Sequence, residues 1–221
     1  MIFVIYRVNE QVQEMGAQMR VTREKAAENR ERIVETAARL FREYGFDGVG
    51  VDAIMKGAGL THGGFYGHFA SKDDLAAEAV TRALEQNAEE EGQFTDLGAL
   101  VADYLSERHR ADRANGCAVA ALGADMARQC AGVRRGLTAH LRRQLDRIAD
   151  LVKDRTAARR RKRAITTLAG LYGALTLARA VDDPALSREI LAAAQDEFGK
   201  TRPTERIGDR RERKTASVRK R

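Results

Sequence analysis

Residues 52–74, DAIMKGAGLTHGGFYGHFASKDD, constrain the fold more than any other stretch of the chain. An apolar-patterned segment carrying Val51, Ile54, Met55 and Ala58 stops at Gly59. A second begins at Thr61 and places Phe65 and Phe69 one helical turn apart, and Ser71 followed by Asp74 has the capping-box spacing of a new helix. Two short helices joined by a tight glycine turn make a helix-turn-helix, whose second helix enters the major groove of DNA. At 100° per residue, Phe65 and Phe69 define a buried face on that second helix. Gly63, Gly64 and Gly67 then face outward, flanked by Tyr66 and His68. Glycine inside a helix costs about 1 kcal/mol against alanine, so a row of them implies close approach of the backbone to another surface, as a duplex groove would provide. The alternative is a glycine-rich loop with two buried aromatics.

The preceding sequence supports the helical reading. Ile33, Ala37, Leu40, Phe41 and Tyr44 form one apolar stripe, which predicts a helix over Arg23–Tyr44 with Thr22 as N-cap and Gly45 as its stop. Together, RERIVETAARLFREYGFDGVGVDAI and GLTHGGFYGHFASKDDL resemble the DNA-binding domain of the TetR/AcrR family of bacterial transcriptional regulators. The resemblance is close over about Ala26–Ala79 and looser to about Phe198. It implies an all-α homodimer with an N-terminal three-helix helix-turn-helix domain and a larger C-terminal helical domain for ligand binding and dimerisation. It also implies that Thr61 and His62 face bases, that Tyr66, His68 and Lys72 bind phosphate, and that the backbone at Gly63 and Gly64 lies close to the groove. Arg20, Arg23, Lys25, Arg30 and Arg32, near the start of the first helix, fall where the family meets phosphates; a solvated face interleaved with Glu24, Glu28, Glu31 and Glu35 is the alternative. His68 beside a buried Phe also admits a structural role. Gly50 stands where the family usually has a capping Ser or Thr, and Gly67 where it often has a larger side chain. Base readout is therefore expected to be sparse, with groove shape sharing the specificity.

The net charge of +7 does not belong to this domain. Residues 199–221 hold ten Lys/Arg against three Asp/Glu, leaving 29 basic and 29 acidic groups in the rest of the chain. That segment lacks apolar periodicity and reads as a disordered basic tail adding non-specific DNA affinity. The expected division is an arm or overcalled start at 1–21, the helix-turn-helix at 22–72, a linker helix with the C-terminal domain at 73–199, and the tail at 200–221. Two cysteines make no disulfide framework, which points to a reducing cytoplasm. No signal peptide is evident, and the uncharged run at 164–178 is too short to span a membrane, so a soluble cytoplasmic protein is expected.

Beyond the first domain, helices are expected over 73–90, Thr95–Arg110, Ala131–Thr156, Ala164–Val181 and a last stretch after Pro184. Asn115 is positioned to cap a helix that holds Cys117 in its first turn, where amide N–H groups favour thiolate. Cys117 is thus either a redox or electrophile sensor, with Cys130 as a candidate partner, or a small buried hydrophobe. RTAARRRKR at 155–163 would oppose the dipole of a helix it opened and is read as a solvated connection, with a second nucleic-acid patch as the alternative. The apolar helices at 164–181 and 184–198 carry small residues four apart; by the resemblance they form the dimer's four-helix bundle, and otherwise they complete a monomer core. Leu100, Tyr104, Cys117, Met126 and Tyr172 are candidate effector-pocket residues that helical pitch alone does not separate from core.

These features favour a ligand-responsive repressor on a palindromic operator. An architectural DNA binder without effector is the rival. An enzyme is disfavoured: His62, His68, His109 and His140 lack metal-ligand spacing, and no nucleophile triad or phosphate loop occurs. No metal or cofactor is expected.

Overall fold

A computed structural model describes residues 2–91 and 93–200, with side chains from residue 23 onward except at 90 and 91. All regular structure among them is helical: α1 (Ile2–Tyr44), α2 (Val51–Gly57), a 3-10 segment (His62–Gly67), α3 (Lys72–Glu91), α4 (Leu97–Tyr104), α5 (Glu107–Ala111), α6 (Ala118–Met126), α7 (Ala131–Leu151), α8 (Ala157–Ala180) and α9 (Pro184–Gly199). The helix predicted to open near Arg23 is longer than its apolar stripe: its backbone is helical from Ile2, through a stretch without proline that the sequence suggested as an arm. The side chains of that stretch, and the tail at 201–221, lie outside the described residues.

The chain divides into two compact units, one of Met1–Gln93 with Arg108–Arg142, the other of Phe94–Glu107 with the chain from Arg143. In the first, α1 packs on α2, α3 and α6, and α3 also meets α6. Its core joins Ile33, Phe41, Ile54, Met55, Phe65, Leu75 and Leu84 to Leu122 and Met126 of α6. Tyr44, predicted on the buried stripe, is instead 58% exposed. It is the last residue before Gly45, whose φ of +77° turns the chain away and brings Phe46 against Phe41 at 5.2 Å. Gly45 therefore stops the helix as expected, its amide donating to the Phe41 carbonyl at 2.8 Å.

In the second unit α9 packs against α4 and α8. Asp183 caps α9, accepting from the Ala185 and Leu186 amides at 2.7 and 3.3 Å, with Pro184 at the first helical position. The stretch 95–110 is two helices instead of one. Asp96 caps α4 through the Ala99 amide at 3.0 Å, and the chain leaves the helix at Leu105, which stays buried while α5 restarts at Glu107. Likewise 155–163 is no loose connection. Thr156 accepts from the Arg159 amide at 3.3 Å, and α8 begins at Ala157 inside the basic run. The Thr hydroxyl and two alanines give that helix a start which charge alone would oppose.

Candidate nucleic-acid interface

The site is built on the turn after α2. Gly59 has φ +69°, a left-handed conformation that side chains rarely adopt. Its amide donates to the Lys56 carbonyl at 3.0 Å and the Leu60 amide to the Met55 carbonyl at 2.9 Å, so the chain reverses within two residues of the helix end. Gly50 supplies no side-chain cap to α2, yet α2 forms, held by Ile54 and Met55 at 0% exposure. Burial here outweighs a cap, which contributes about 1 kcal/mol.

Thr61 then leads into His62–Gly67, which is one 3-10 segment where the sequence pattern predicted an α-helix. Three glycines in six residues give the α-helix little reason to persist, and the tighter 3-10 turn still delivers Phe65 inward. Phe65 and Phe69 are 0% and 4% exposed, with ring centroids 5.8 Å apart, and the edge of Tyr66 meets Phe65 at 5.2 Å. The outward face is as predicted. A Cβ at Gly63 or Gly67 would meet nothing within 4 Å, and Gly64 has only Met55 and Thr61 near it. Thr61, His62, Gly63, Gly64 and Tyr66 are exposed, Tyr66 at 70%. His62 Nδ1 lies 3.5 Å from Asp52 Oδ1 at the start of α2. Ser71 caps α3 through the Asp74 amide at 3.1 Å, as the capping-box spacing predicted.

The cations sort differently from the sequence expectation. Arg23 is exposed, and Lys25 pairs with Glu28 at 3.0 Å. Arg30, expected near phosphates, is engaged within the domain. Its guanidinium lies 4.0 Å over the Phe69 ring, donates to the His68 carbonyl at 2.5 Å and pairs with Glu78 of α3. Arg32 donates to the Ala58 carbonyl at the end of α2. Lys72 donates to the Phe46 carbonyl at 2.6 Å, which fixes its ammonium beside the loop before α2. Arg30 and Arg32 of the basic cluster, and Lys72, expected at a phosphate, thus each hold a main-chain carbonyl and brace the helix-turn-helix. Helical periodicity carries no signal for this, because the partners (main-chain carbonyls, the Phe69 ring and the Glu78 carboxylate) are remote in sequence.

The candidate effector residues fall into separate groups. Leu100, Tyr104 and Tyr172 belong to the second unit, where the two tyrosine rings stand 6.1 Å apart. Cys117 and Met126 belong to the first, both essentially buried. Asn115 does not cap α6; its amide side chain donates back to Asp112 at 3.0 Å. Cys117 is itself the cap, its sulfur accepting from the Ala120 amide at 3.4 Å while its own amide donates to His109 Nε2 at 3.0 Å. Asn87 of α3 grips the same turn, accepting from the Ala118 amide at 2.9 Å, and Arg42 of α1 donates to the Ala114 carbonyl at 2.6 Å. No cluster of His, Cys, Asp or Glu among the described residues is arranged for a metal, and no described helix is long and apolar enough to cross a membrane.

Residues 33–79 match the family model described as bacterial regulatory proteins, tetR family. The chain is 41% identical over 59 residues to the HTH-type transcriptional regulator AcrR of Shigella flexneri, an alignment covering 27% of each. A Staphylococcus aureus HTH-type transcriptional regulator is 40% identical over 63 residues, 28% of this chain and 34% of that one. The chain therefore spans only about a third of these relatives' length or less. A TetR-family transcriptional regulator from Cytophaga hutchinsonii superposes with TM-score 0.64 at 18% identity, over 78% of this chain and 94% of the other. Residues 33–79 thus carry a helix-turn-helix of the kind the tetR family model describes, and the all-helical body is similar in fold to a solved TetR-family regulator.

Proposed function

We propose that the protein is a homodimeric, ligand-responsive transcriptional repressor that reads a palindromic operator with the segment 61–68. The observation that carries this is the outward face of that segment: Gly63 and Gly67 open to space and Tyr66 70% exposed, on a base of Phe65 and Phe69. A surface without Cβ atoms lets backbone come close to a duplex. Thr61 and His62 then reach base edges, while Tyr66, His68, Lys72 and Arg23 serve phosphates. Lys72 keeps two ammonium hydrogens beyond the one given to Phe46.

Dimerisation is supported by the surface of α8. Ile165, Ala169, Gly173 and Leu177 recur every fourth residue and are all exposed, Ile165 at 48% and Leu177 at 57%. With Leu186 of α9 they leave an apolar stripe that a second copy would bury. For the effector, Tyr104 and Tyr172 are the candidate pair in the second unit; their rings pack directly on each other at 6.1 Å, so a ligand there would have to part them. Sensing through Cys117 is the second reading. Its sulfur accepts an amide at the start of α6, and at 1% exposure that turn must open before a reagent reaches it.

The test is a gel shift of the purified protein with the DNA upstream of its own gene, in competition with random duplex. Specific retention supports the reading, and His62→Ala should then relax preference for that DNA. Equal binding to both DNAs would leave an architectural binder, and no binding to either would end the proposal. Release by a small molecule in a Cys117→Ser variant would remove the thiol reading.

A further inference from the structure

The geometry points to Asp52 as a positioning residue that sets what His62 can read. It holds the imidazole so that the pair offers the major groove acceptors alone, which selects a base carrying an exocyclic amino group, adenine or cytosine. This rests on the reading of 61–68 as the operator-reading segment. Asp52 stands in the first turn of α2 and His62 opens the 3-10 segment, and the turn at Gly59 folds one back towards the other. Asp52 Oδ1 lies 3.5 Å from His62 Nδ1, and both side chains face outward, at 83% and 55% exposure. Lys56, four residues further along α2, would be the usual helical partner for an acid at 52. Among the described residues, however, Asp52 has no ion-pair partner within 4 Å besides His62. A carboxylate in the first turn of α2 suits the helix dipole, but the dipole does not direct it to the ring. Beside a DNA-reading segment it also works against attraction to phosphates, so general affinity does not account for it.

The chemistry follows from the donor inventory. An ionised carboxylate accepts and never donates, so the ring nitrogen turned towards it carries a proton; a bare lone pair there would be repelled. In neutral imidazole a proton on Nδ1 leaves the lone pair on Nε2, at the far side of the ring from Asp52. His62 then presents an acceptor, and the carboxylate beside it adds oxygens of the same kind. Gly63 and Gly64, next in sequence, bring no side chain to compete. In the major groove such acceptors are met by the N6 amino group of adenine and the N4 amino group of cytosine. Guanine O6 and N7 and thymine O4 are themselves acceptors and would face the pair lone pair to lone pair. Discrimination is therefore attractive towards one set of bases and repulsive towards the other. Freed of Asp52, the ring can place its proton on Nε2 and become a donor, which reverses the preference.

Two measurements on the full chain test this. Proton–nitrogen NMR of histidine-labelled protein at neutral pH reads the tautomer, with His62→Ala identifying the signals of that ring. The parent should show Nδ1 protonated and Nε2 bare, free and bound to duplex, and Asp52→Ala should move the proton to Nε2. A parent with Nε2 protonated, alone or together with Nδ1, overturns the inference. In parallel, the parent, Asp52→Ala and His62→Ala each select binding sites from a pool of random duplexes. The parent should enrich adenine or cytosine at one position of each half-site, and the base selected tells the two apart. Asp52→Ala should lose that preference by about five- to tenfold at the position that His62→Ala also relaxes, and keep the others. Guanine or thymine at that position in the parent's sites overturns the inference, as does an equal loss at every position, which would make Asp52 a support of α2. If the parent enriches no sequence, the operator reading fails and the base assignment with it. The nitrogen signals still decide in that case whether Asp52 sets the ring.

Discussion

At the scale of single residues, two glycines four positions apart, Gly59 and Gly63, answer to opposite demands. Gly59 sits at φ +69°, where an L side chain costs about 1–2 kcal/mol, so Gly59→Ala should lower unfolding free energy by that amount in urea titration. Gly63 has no such φ and open space beyond it. Gly63→Ala should leave stability unchanged or raise it by about 0.5 kcal/mol while weakening operator binding, since the added methyl meets only what docks there. Loss of both stability and binding at Gly63 would mean that the face belongs to the protein's own packing. Arg30 makes a third case. Its stacking on Phe69 and its bonds to His68 and Glu78 tie α1, the end of the reading segment and α3 together. The guanidinium is 40% exposed, so screening leaves the ion pair itself worth little. Arg30→Ala should still cost about 1–2 kcal/mol through the ring and carbonyl contacts. It should also weaken operator and random DNA alike, although the side chain need not touch either.

At the scale of elements, the sequence was most legible where one periodicity and one stop signal agreed. The stripe Ile33, Ala37, Phe41 with Gly45, the Ser71 cap and the Pro184 start of α9 all appear where local pattern places them. It was least legible where competing local terms are of similar size. The glycines of 62–67 turn a predicted α-helix into a 3-10 segment, and a Thr156 cap starts α8 through cations that the dipole argument had assigned to a loop. The bracing role of Arg30, Arg32 and Lys72 had no sequence signal, because it depends on carbonyls brought near by the fold. The pairing of α8 with α9 was half visible. Small residues at four-residue spacing suggested close backbones, and the tip of the Phe198 ring does occupy the space where a Cβ of Gly170 would stand. Gly170→Ala therefore cannot be accommodated without displacing Phe198. It should destabilise the second unit by about 1–3 kcal/mol in chemical denaturation, and pairing it with Phe198→Leu should recover part of the loss. Full tolerance of Gly170→Ala alone would show that α9 swings freely on α8.

At the scale of the whole molecule, the exposed stripe on α8 decides whether one helix-turn-helix acts alone. A single reading segment with three glycines offers few base contacts, and each good pair discriminates by only about 1–3 kcal/mol. Two copies on half-sites about 34–36 Å apart double that discrimination through geometry alone. The stripe Ile165, Ala169, Gly173, Leu177 is the described surface that can supply the second copy. Charge placed on it should separate assembly from folding. Ile165→Asp with Leu177→Asp alters only exposed positions, so each protomer should stay helical by circular dichroism. The parent's thermal midpoint should rise with protein concentration, as mass action requires of a dimer, and the variant's should not. Operator affinity of the variant should fall by orders of magnitude towards that for random duplex, whose binding depends on cations rather than on spacing. A variant that sediments as a dimer, or a monomer that keeps full operator preference, would place the source of specificity somewhere other than paired reading segments.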